Sequence, residues 1–359
     1  NGFVSLAPRR SEFFLMSPPH RYTFLGNNAW SKTLSLHEYR HVAQLETAKK
    51  SPLLRPINTL FGEYIVSGFI YSLIPTWFLE GDAVAFETTY SNYGRGIESD
   101  FNRLIRMNAK ENPNLTYSIQ TLGSYNYITP SVYQIGYLYT SYLKKYYGID
   151  KYNNIFKNTF KFKYQFNKES FEQSLYLETG LSLKELNTLA INDVITPHHI
   201  ISTKEKEKKT IHNTLYSDNY INYYFPKQLR NNKIIAYKTS QTHLSSFSYI
   251  HKDKQDVNIF EPGTVLTQEF IAATKDYLSW IEIVPHPRWD NINYGIINIL
   301  DLNTNHIIKK TKQSFYSNVD ISPDQSTIIA LKNHKDNTMS LDILDLHSLK
   351  QKQSIKLEK

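Results

Sequence analysis

The spacing of apolar residues changes near residue 196, and this change limits the possible folds more than any other feature of the chain. From Trp30 to about Val194, apolar residues recur with the spacing of helices. After the polar segment 196–210 they form short runs separated by Asn, Asp, Gly and Pro. We therefore predict a multi-domain α+β protein, with a mainly helical domain at 1–195, a linker at 196–210 and an all-β domain at 211–359.

In the first part the pattern predicts eight helices preceded by two short strands. The helices are expected near residues 30–50, 56–72, 76–90, 97–110, 130–147, 150–163, 168–178 and 182–194. The strands are expected at Phe3–Ala7 and Glu12–Met16, separated by Pro8-Arg9-Arg10. The helical domain therefore begins with a short β part.

Two further local signals concern helix ends and a loop. Asn28 or Ser31 is a candidate cap for the first helix, and Ser182 with Glu185 forms the capping-box pattern at the last. The segment 112–129 contains proline and glycine, and we predict that it is a loop over a cleft.

The second part has the pattern of an incomplete β-propeller. Strands are expected at 233–238, 277–284, 295–302, 327–331 and 340–346. A weak repeat of strand, turn and strand ends in Asp-Leu at 301–302 and again at 345–346, which is typical of propeller blades. Only about three blades fit, fewer than the ~4–8 of a closed propeller.

Composition excludes several classes of site. The chain has no cysteine, so disulfides, thiolate metal sites and cysteine nucleophiles are excluded, and a metal must be bound by histidine and carboxylate. The net charge is +8, but the lysines are scattered or lie in one short run at 204–209. Because no basic stripe alternates with aromatic residues, we expect no nucleic-acid partner and attribute the charge to solubility or to attraction by anionic envelope surfaces.

The most apolar stretch does not have the length of a transmembrane helix. It runs from Ile65 to Leu79 and is interrupted by Gly68 and Pro75. We expect a buried helix there, with contact to a membrane surface as the alternative. The chain starts at Asn1 without a basic and apolar leader, and we expect it to be an internal piece of a longer precursor.

One motif in the first part points to chemistry. His37 and His41 are four residues apart, so on a helix they share a face and can reach one ion. Neutral imidazole is a good zinc ligand. Glu38, one residue further on, is rotated away from the ion and can take a proton from a water molecule bound there. The alternative is a solvated helix with two surface histidines.

Zinc needs a third protein ligand, and the segment from Ile74 to Glu87 offers one. Glu80 follows an apolar run, where an unpaired carboxylate would be costly and a metal would remove the cost. Glu87 is seven residues later on nearly the same face and can accept a hydrogen bond from a ligand histidine. The alternatives are a helix N-terminal carboxylate for Glu80 and a plain surface acid for Glu87.

Together, the segments HEYRHVAQ and PTWFLEGDAVAFE resemble the gluzincin metallopeptidases. They are most similar to the peptidase-MA-like domains that precede a TolB-type β-propeller in bacterial envelope proteins. The resemblance covers roughly residues 1–195 and implies a zincin-like metallopeptidase fold. It also implies Zn²⁺ bound by His37, His41 and Glu80, with Glu38 as the catalytic base.

The chain departs from the best-known gluzincin aminopeptidases in two respects. The gap between His41 and Glu80 is longer, and the Gly-x-Met-Glu-Asn exopeptidase motif does not occur in the sequence. We therefore expect an endopeptidase or a narrow envelope peptidase. The resemblance implies a location in the bacterial cell envelope, periplasmic or secreted.

Other candidates have less specific signals. Gluzincins tend to supply a phenol or imidazole for the oxyanion, and Tyr133 and Tyr137 share a helical face in the matching region, with Tyr137 slightly preferred. Core packing is the alternative for both. Arg95 lies in a possible substrate loop where it could meet a carboxylate, or in a simple turn. His198 and His199 fall in the linker and are not expected to be ligands.

The leading hypothesis is a zinc-dependent peptidase that acts on a peptide or protein substrate. In it, the propeller-like part binds substrate or an envelope partner. A second hypothesis is an envelope binding or assembly protein whose zincin domain is weak or inactive. A third is a zinc hydrolase acting on something other than a peptide. The sequence does not fix the oligomeric state.

Overall fold

The structure is a computed structural model, and it describes residues 2–6, 9–13, 30–91, 94–111, 130–161, 169–195, 221–229, 232–251, 255–265, 271–289, 292–336 and 338–357. The described residues form two compact units, one within 2–195 and one within 221–357. The first is helical with a small hairpin and the second is built from antiparallel strands, so the chain has a mixed α+β fold. The predicted linker at 196–210, the predicted loop at 112–129, and His198 and His199 lie outside the described residues.

Seven helices and one hairpin are described in the first unit. They are β1 (Gly2–Leu6), β2 (Arg9–Phe13), α1 (Trp30–Lys49), α2 (Leu54–Leu73), α3 (Thr76–Tyr90), α4 (Ser99–Glu111), α5 (Val132–Thr159), α6 (Glu169–Thr179) and α7 (Leu183–Ile195). The helices predicted at 130–147 and 150–163 correspond to the two helical segments of α5, which meet at a kink. Gly148 interrupts α5 with a φ of 84°, which glycine adopts readily.

The predicted capping box at α7 is confirmed, and the predicted position of the second strand is wrong. The capping box of α7 is confirmed, because the Ser182 N–H donates to Glu185 at 2.8 Å and the Glu185 N–H donates to the Ser182 hydroxyl at 3.3 Å. The hairpin pairs Leu6 with Arg9. The position predicted for its second strand is therefore wrong, since Arg9 and Arg10, expected in the turn, belong to β2.

Helix α3 packs against both α1 and α5 and forms the centre of the first unit. A Cβ atom on Gly81 would lie 2.1 Å from the carbonyl carbon of Gly136, so the backbones of α3 and α5 approach each other where neither has a side chain. Next to this contact, the ring of Phe78 stacks on that of Tyr152 at 4.6 Å. This packing fixes α3 firmly, which matters because α3 also carries Glu80.

Helix α2 contradicts the expectation of a buried helix at Ile65–Leu79. The stretch is divided between α2 and α3, which are bent by 96° relative to each other. Val66, Ile70 and Leu73 are buried, but other large apolar side chains of α2 are exposed. Among the described residues, no single helix has the length and hydropathy to cross a bilayer, and only the bent pair α2 and α3 meets that requirement jointly.

Three four-stranded antiparallel sheets make up the second unit, and in each sheet neighbouring strands follow one another along the chain. The strands are β3 (Ile221–Gln228), β4 (Ile234–Ser240), β5 (Ser246–Ile250), β6 (Val257–Phe260), β7 (Ala272–Ala273), β8 (Tyr277–Pro285), β9 (Asn293–Asp301), β10 (His306–Lys310), β11 (Tyr316–Ile321), β12 (Thr327–Asn333), β13 (Met339–Asp345) and β14 (Gln351–Leu357). The sheets are β3–β6, β7–β10 and β11–β14. In the part of the chain that the structure describes, they do not close into a barrel or a complete propeller.

Apolar clusters join the sheets of the second unit in sequence. The first and second sheets meet at Phe247 and Trp280, whose ring centroids are 4.8 Å apart. The second and third sheets share a buried cluster that includes Ile297, Val319 and Ile328. Each sheet is therefore stabilised by its neighbour in the chain.

The five predicted strands of this unit are confirmed, but seven others were not predicted from the sequence. Strands β10 and β14 lie at the edges of their sheets and are exposed along their whole length. Edge strands of this kind are rich in polar and charged residues, so the hydrophobic pattern used for the prediction is weak in them. Strand β3 contains Pro226, which lies at a register shift between Tyr224 and Lys227, where a missing N–H is tolerated.

Candidate metal centre

Helices α1 and α3 bring three polar side chains together in the first unit. His37 and His41 are one turn apart on α1, and Glu80 lies near the start of α3. The two Nε2 atoms are 3.3 Å apart, and Glu80 Oε2 lies 3.2 Å from that of His37 and 3.4 Å from that of His41. Within the described ranges, these side chains form a group whose donor atoms are close enough to share one metal ion.

The triangle formed by these three atoms fits one face of a tetrahedral zinc site. Zinc binds imidazole nitrogen and carboxylate oxygen at about 2.0–2.2 Å, so tetrahedral geometry places two ligand atoms about 3.3–3.6 Å apart. The observed separations of 3.2, 3.3 and 3.4 Å are close to the lower end of that range. The donor set therefore fits one zinc ion, with a fourth position left for another ligand.

The amide of Gln44 determines which nitrogen of His41 carries the proton. Gln44 Nε2 donates to the Leu79 carbonyl at 3.1 Å and to Asp82 Oδ2 at 2.9 Å. This orientation points Gln44 Oε1 at His41 Nδ1, 3.0 Å away. Since Oε1 can only accept, Nδ1 carries the proton and Nε2 presents its lone pair to the site.

Glu87 has the same effect on the other imidazole. Its Oε2 lies 3.0 Å from His37 Nδ1 and accepts a hydrogen bond from Arg95 Nη2 at 2.8 Å. Arg95 Nη2 also lies 2.8 Å from His37 Nδ1, but the carboxylate oxygen has lone pairs for both donors. An unprotonated Nδ1 would instead face the carboxylate with its own lone pair. Of the two neighbours of Nδ1, Glu87 Oε2 accepts and Arg95 Nη2 donates; the tautomer that bonds to Glu87 carries its proton on Nδ1 and leaves Nε2 free to bind a cation.

The charges of the metal-free site show what holds these groups together. Burial opposes a charge on His37, but hydrogen bonds to Glu80 and Glu87 outweigh it and raise the pKa of His37 above its usual 6.5. Burial also opposes the charge on Glu80, but hydrogen bonds from His37 and His41 lower its pKa to about 2. A proton between imidazole and carboxylate thus satisfies the site without metal, and a divalent cation would displace it.

The three side chains line an open pocket that also includes Glu38, Tyr71 and Tyr133. Glu38 is buried and follows His37 on α1, so it is rotated from the ligand face by about 100°. The ring centroid of Tyr133 lies 6.2 Å from that of His37. Burial and the charge of Glu80 raise the pKa of Tyr133, which keeps its phenol protonated.

The structure also places two other candidate residues, Tyr137 and Arg95. Tyr137, preferred for the oxyanion role, is not among the residues that line this pocket. It lies one turn beyond Tyr133 and packs edge-on against Phe101, with ring centroids 6.2 Å apart. For Arg95 the sequence left open a substrate loop or a simple turn; it lies in a short turn at Arg95–Ile97, and its Nε donates to Glu87 Oε1 at 2.6 Å. In this structure it orients Glu87 and, through it, His37.

A buried carboxylate behind His41 was not identified from the sequence. Asp82 accepts hydrogen bonds from Gln44, from Arg40 Nε at 2.6 Å and from Lys144 Nζ at 2.7 Å. Burial opposes its charge, but Lys144 and Arg40 outweigh burial and lower the pKa of Asp82. The spacing of three residues on α1 could have identified Gln44 as a partner of His41, but no sequence pattern connects either residue with Asp82.

No protein-family model matches this chain, and no curated protein matches it in a sequence search.

Proposed function

We propose that the first unit is a zinc-dependent metallopeptidase of the gluzincin type. The observation that carries this proposal is the convergence of His37 Nε2, His41 Nε2 and Glu80 Oε2 within 3.4 Å of one another. Gln44 and Glu87 each place an acceptor oxygen beside the Nδ1 atom of one imidazole, an arrangement that leaves both Nε2 atoms for a cation. Three acceptors facing one another are best satisfied by a cation.

The residues around this group fit the needs of peptide hydrolysis. Zinc, when bound, supplies Lewis acidity and lowers the pKa of a coordinated water to about 7. Glu38 lines the pocket and takes the proton of the attacking water, then passes it to the leaving amine. The protonated phenol of Tyr133 donates a hydrogen bond to the carbonyl oxygen as that oxygen gains charge.

We propose that the second unit is part of a TolB-type β-propeller that binds substrate or an envelope partner. Three four-stranded sheets in chain order, each packed on the next, support this proposal. A location in the bacterial cell envelope, periplasmic or secreted, rests on the sequence resemblance.

Glu38→Gln tests the mechanism. The variant should keep its zinc and lose peptide cleavage by about 10²–10⁴-fold, because a positioned general base contributes about that much. Zinc content and cleavage of a peptide library are measured in parallel. Glu46→Gln, on the same helix but outside the pocket, is the matched control and should remain active.

The outcomes separate the competing functions. Unchanged cleavage by Glu38→Gln would contradict the proposed mechanism. A zinc-loaded wild-type chain that cleaves no peptide would favour the envelope binding or assembly protein, or a hydrolase acting on another bond.

A further inference from the structure

Helix α2 is apolar on its outer side as well as on its inner side. Val66, Ile70 and Leu73 follow the helical spacing i, i+4 and i+7 and are buried in the core. Five large apolar side chains of the same helix are exposed: Leu60 (74%), Phe61 (65%), Tyr64 (68%), Ile65 (47%) and Tyr71 (57%). We call these five residues the outer stripe of α2. Gly62 interrupts α2 with a φ of 76°, so Leu60 and Phe61 precede the break and Tyr64, Ile65 and Tyr71 follow it. Five exposed apolar side chains within this short stretch mark an interaction surface.

The exposed charged side chains in the segment that carries the outer stripe are positive. Between residues 50 and 79 the charged residues are Lys50, Arg55 and Glu63. Lys50 and Arg55 are exposed, whereas Glu63 is partly buried and bound to Lys49. The exposed part of this segment is therefore apolar and positively charged, in a chain with a net charge of +8. Its complement is an apolar surface with negative charge.

The shape of this region suits a surface contact. Helix α2 is bent by 96° relative to α3, and most of α3 is buried in the core, including Trp77, Phe78 and Ala83. Of these two helices, only α2 has several exposed apolar side chains that can enter the lipid phase. It would therefore lie along the membrane surface and not cross the bilayer. Two of the five stripe residues are tyrosines, whose rings suit the boundary between lipid and water.

We propose that the outer stripe of α2 binds the surface of an anionic lipid bilayer, with Lys50 and Arg55 contacting the headgroups. Tyr71 belongs both to the stripe and to the pocket lining, so binding brings the mouth of the pocket to the membrane surface. A second copy of the chain is the less suitable occupant, because a symmetric contact would bring the positive charges of both copies together. The lipid contact does not depend on the metal or on the proposed peptidase activity.

Vesicle co-sedimentation of the full chain tests this proposal. Wild type should bind vesicles of phosphatidylcholine and phosphatidylglycerol in equal parts, with or without a zinc chelator, and should bind pure phosphatidylcholine more weakly. Replacing Phe61 and Ile65 with glutamine should weaken binding by at least about tenfold. Replacing Lys50 and Arg55 with glutamine should weaken it by about fivefold per charge at low salt.

The matched control replaces Tyr176 and Leu177 of α6, which are also exposed in the first unit, with glutamine. That variant should bind vesicles as wild type does. The proposal would be overturned by wild type that ignores anionic vesicles, or by equal losses in the α2 and α6 variants. A dimer in analytical ultracentrifugation that the α2 variant abolishes, without vesicle binding by wild type, would identify a second copy as the occupant.

Discussion

Replacing Gln44 with leucine removes the partner that holds the proton on His41 Nδ1. The structure assigns three hydrogen bonds to this amide: one to His41 and the two donated to Leu79 and Asp82. Loss of such a partner of a metal-binding histidine typically weakens metal binding by about 10–100-fold, which corresponds to about 1.4–2.7 kcal/mol. The free energy of unfolding of the metal-free chain should also fall, by about 2 kcal/mol.

The assay is a zinc titration against a competing chelator, with denaturant unfolding of the metal-free chain measured in parallel. Gln134→Leu is the matched control, because Gln134 also uses both its amide oxygen and its amide nitrogen: the oxygen accepts from the Ser131 N–H and the nitrogen donates to the Phe101 carbonyl. It should lose similar stability and keep its zinc affinity. If Gln44→Leu bound zinc as tightly as Gln134→Leu, the assigned role of Gln44 would be refuted.

Three further perturbations test other parts of the structure. Asp82→Asn should lower the free energy of unfolding by about 2–4 kcal/mol at pH 7. The pKa of Asp82 is lowered on folding, so its contribution is present above 3.8 and lost at lower pH, and denaturant unfolding should show the two chains converging in acid. Gly81→Ala should destabilise by more than about 3 kcal/mol in the same assay, whereas Gly68→Ala, where the added Cβ meets no atom within 4 Å, should not. Because the pKa of metal-free His37 is raised above 6.5, protons should compete with zinc already near neutral pH, and chelator titrations from pH 8 to 6 should show falling affinity; a flat profile would contradict this.

The sequence predicts the part of the site whose residues lie close together along the chain. His37, Glu38 and His41 could be assigned because a spacing of four residues on one helix fixes their relation before any tertiary contact forms. Glu80 and Glu87 required the second motif, since Glu80 lies 39 positions after His41 and no periodicity spans that gap. The structure places Glu80 Oε2 against both rings.

The parts that sequence analysis missed depend on tertiary packing. Tyr133 and Tyr137 are equivalent by spacing, and only the packing of α5 against Phe101 separates the pocket residue from the packed one. Asp82 takes its partners from two helices, with Lys144 lying 62 residues away along the chain. In the second unit, exposed edge strands such as β14 are formed by pairing with neighbours and contain little hydrophobic pattern of their own.

The central claim is most directly tested by zinc K-edge X-ray absorption on the full chain loaded with one equivalent of zinc. The account predicts nitrogen and oxygen ligands at about 2.0–2.2 Å with the multiple-scattering signature of two imidazoles. In Glu80→Gln, zinc should bind more weakly while both imidazoles remain. A spectrum with one imidazole or none, or a Glu80→Gln spectrum and affinity identical to those of wild type, would contradict the proposed centre.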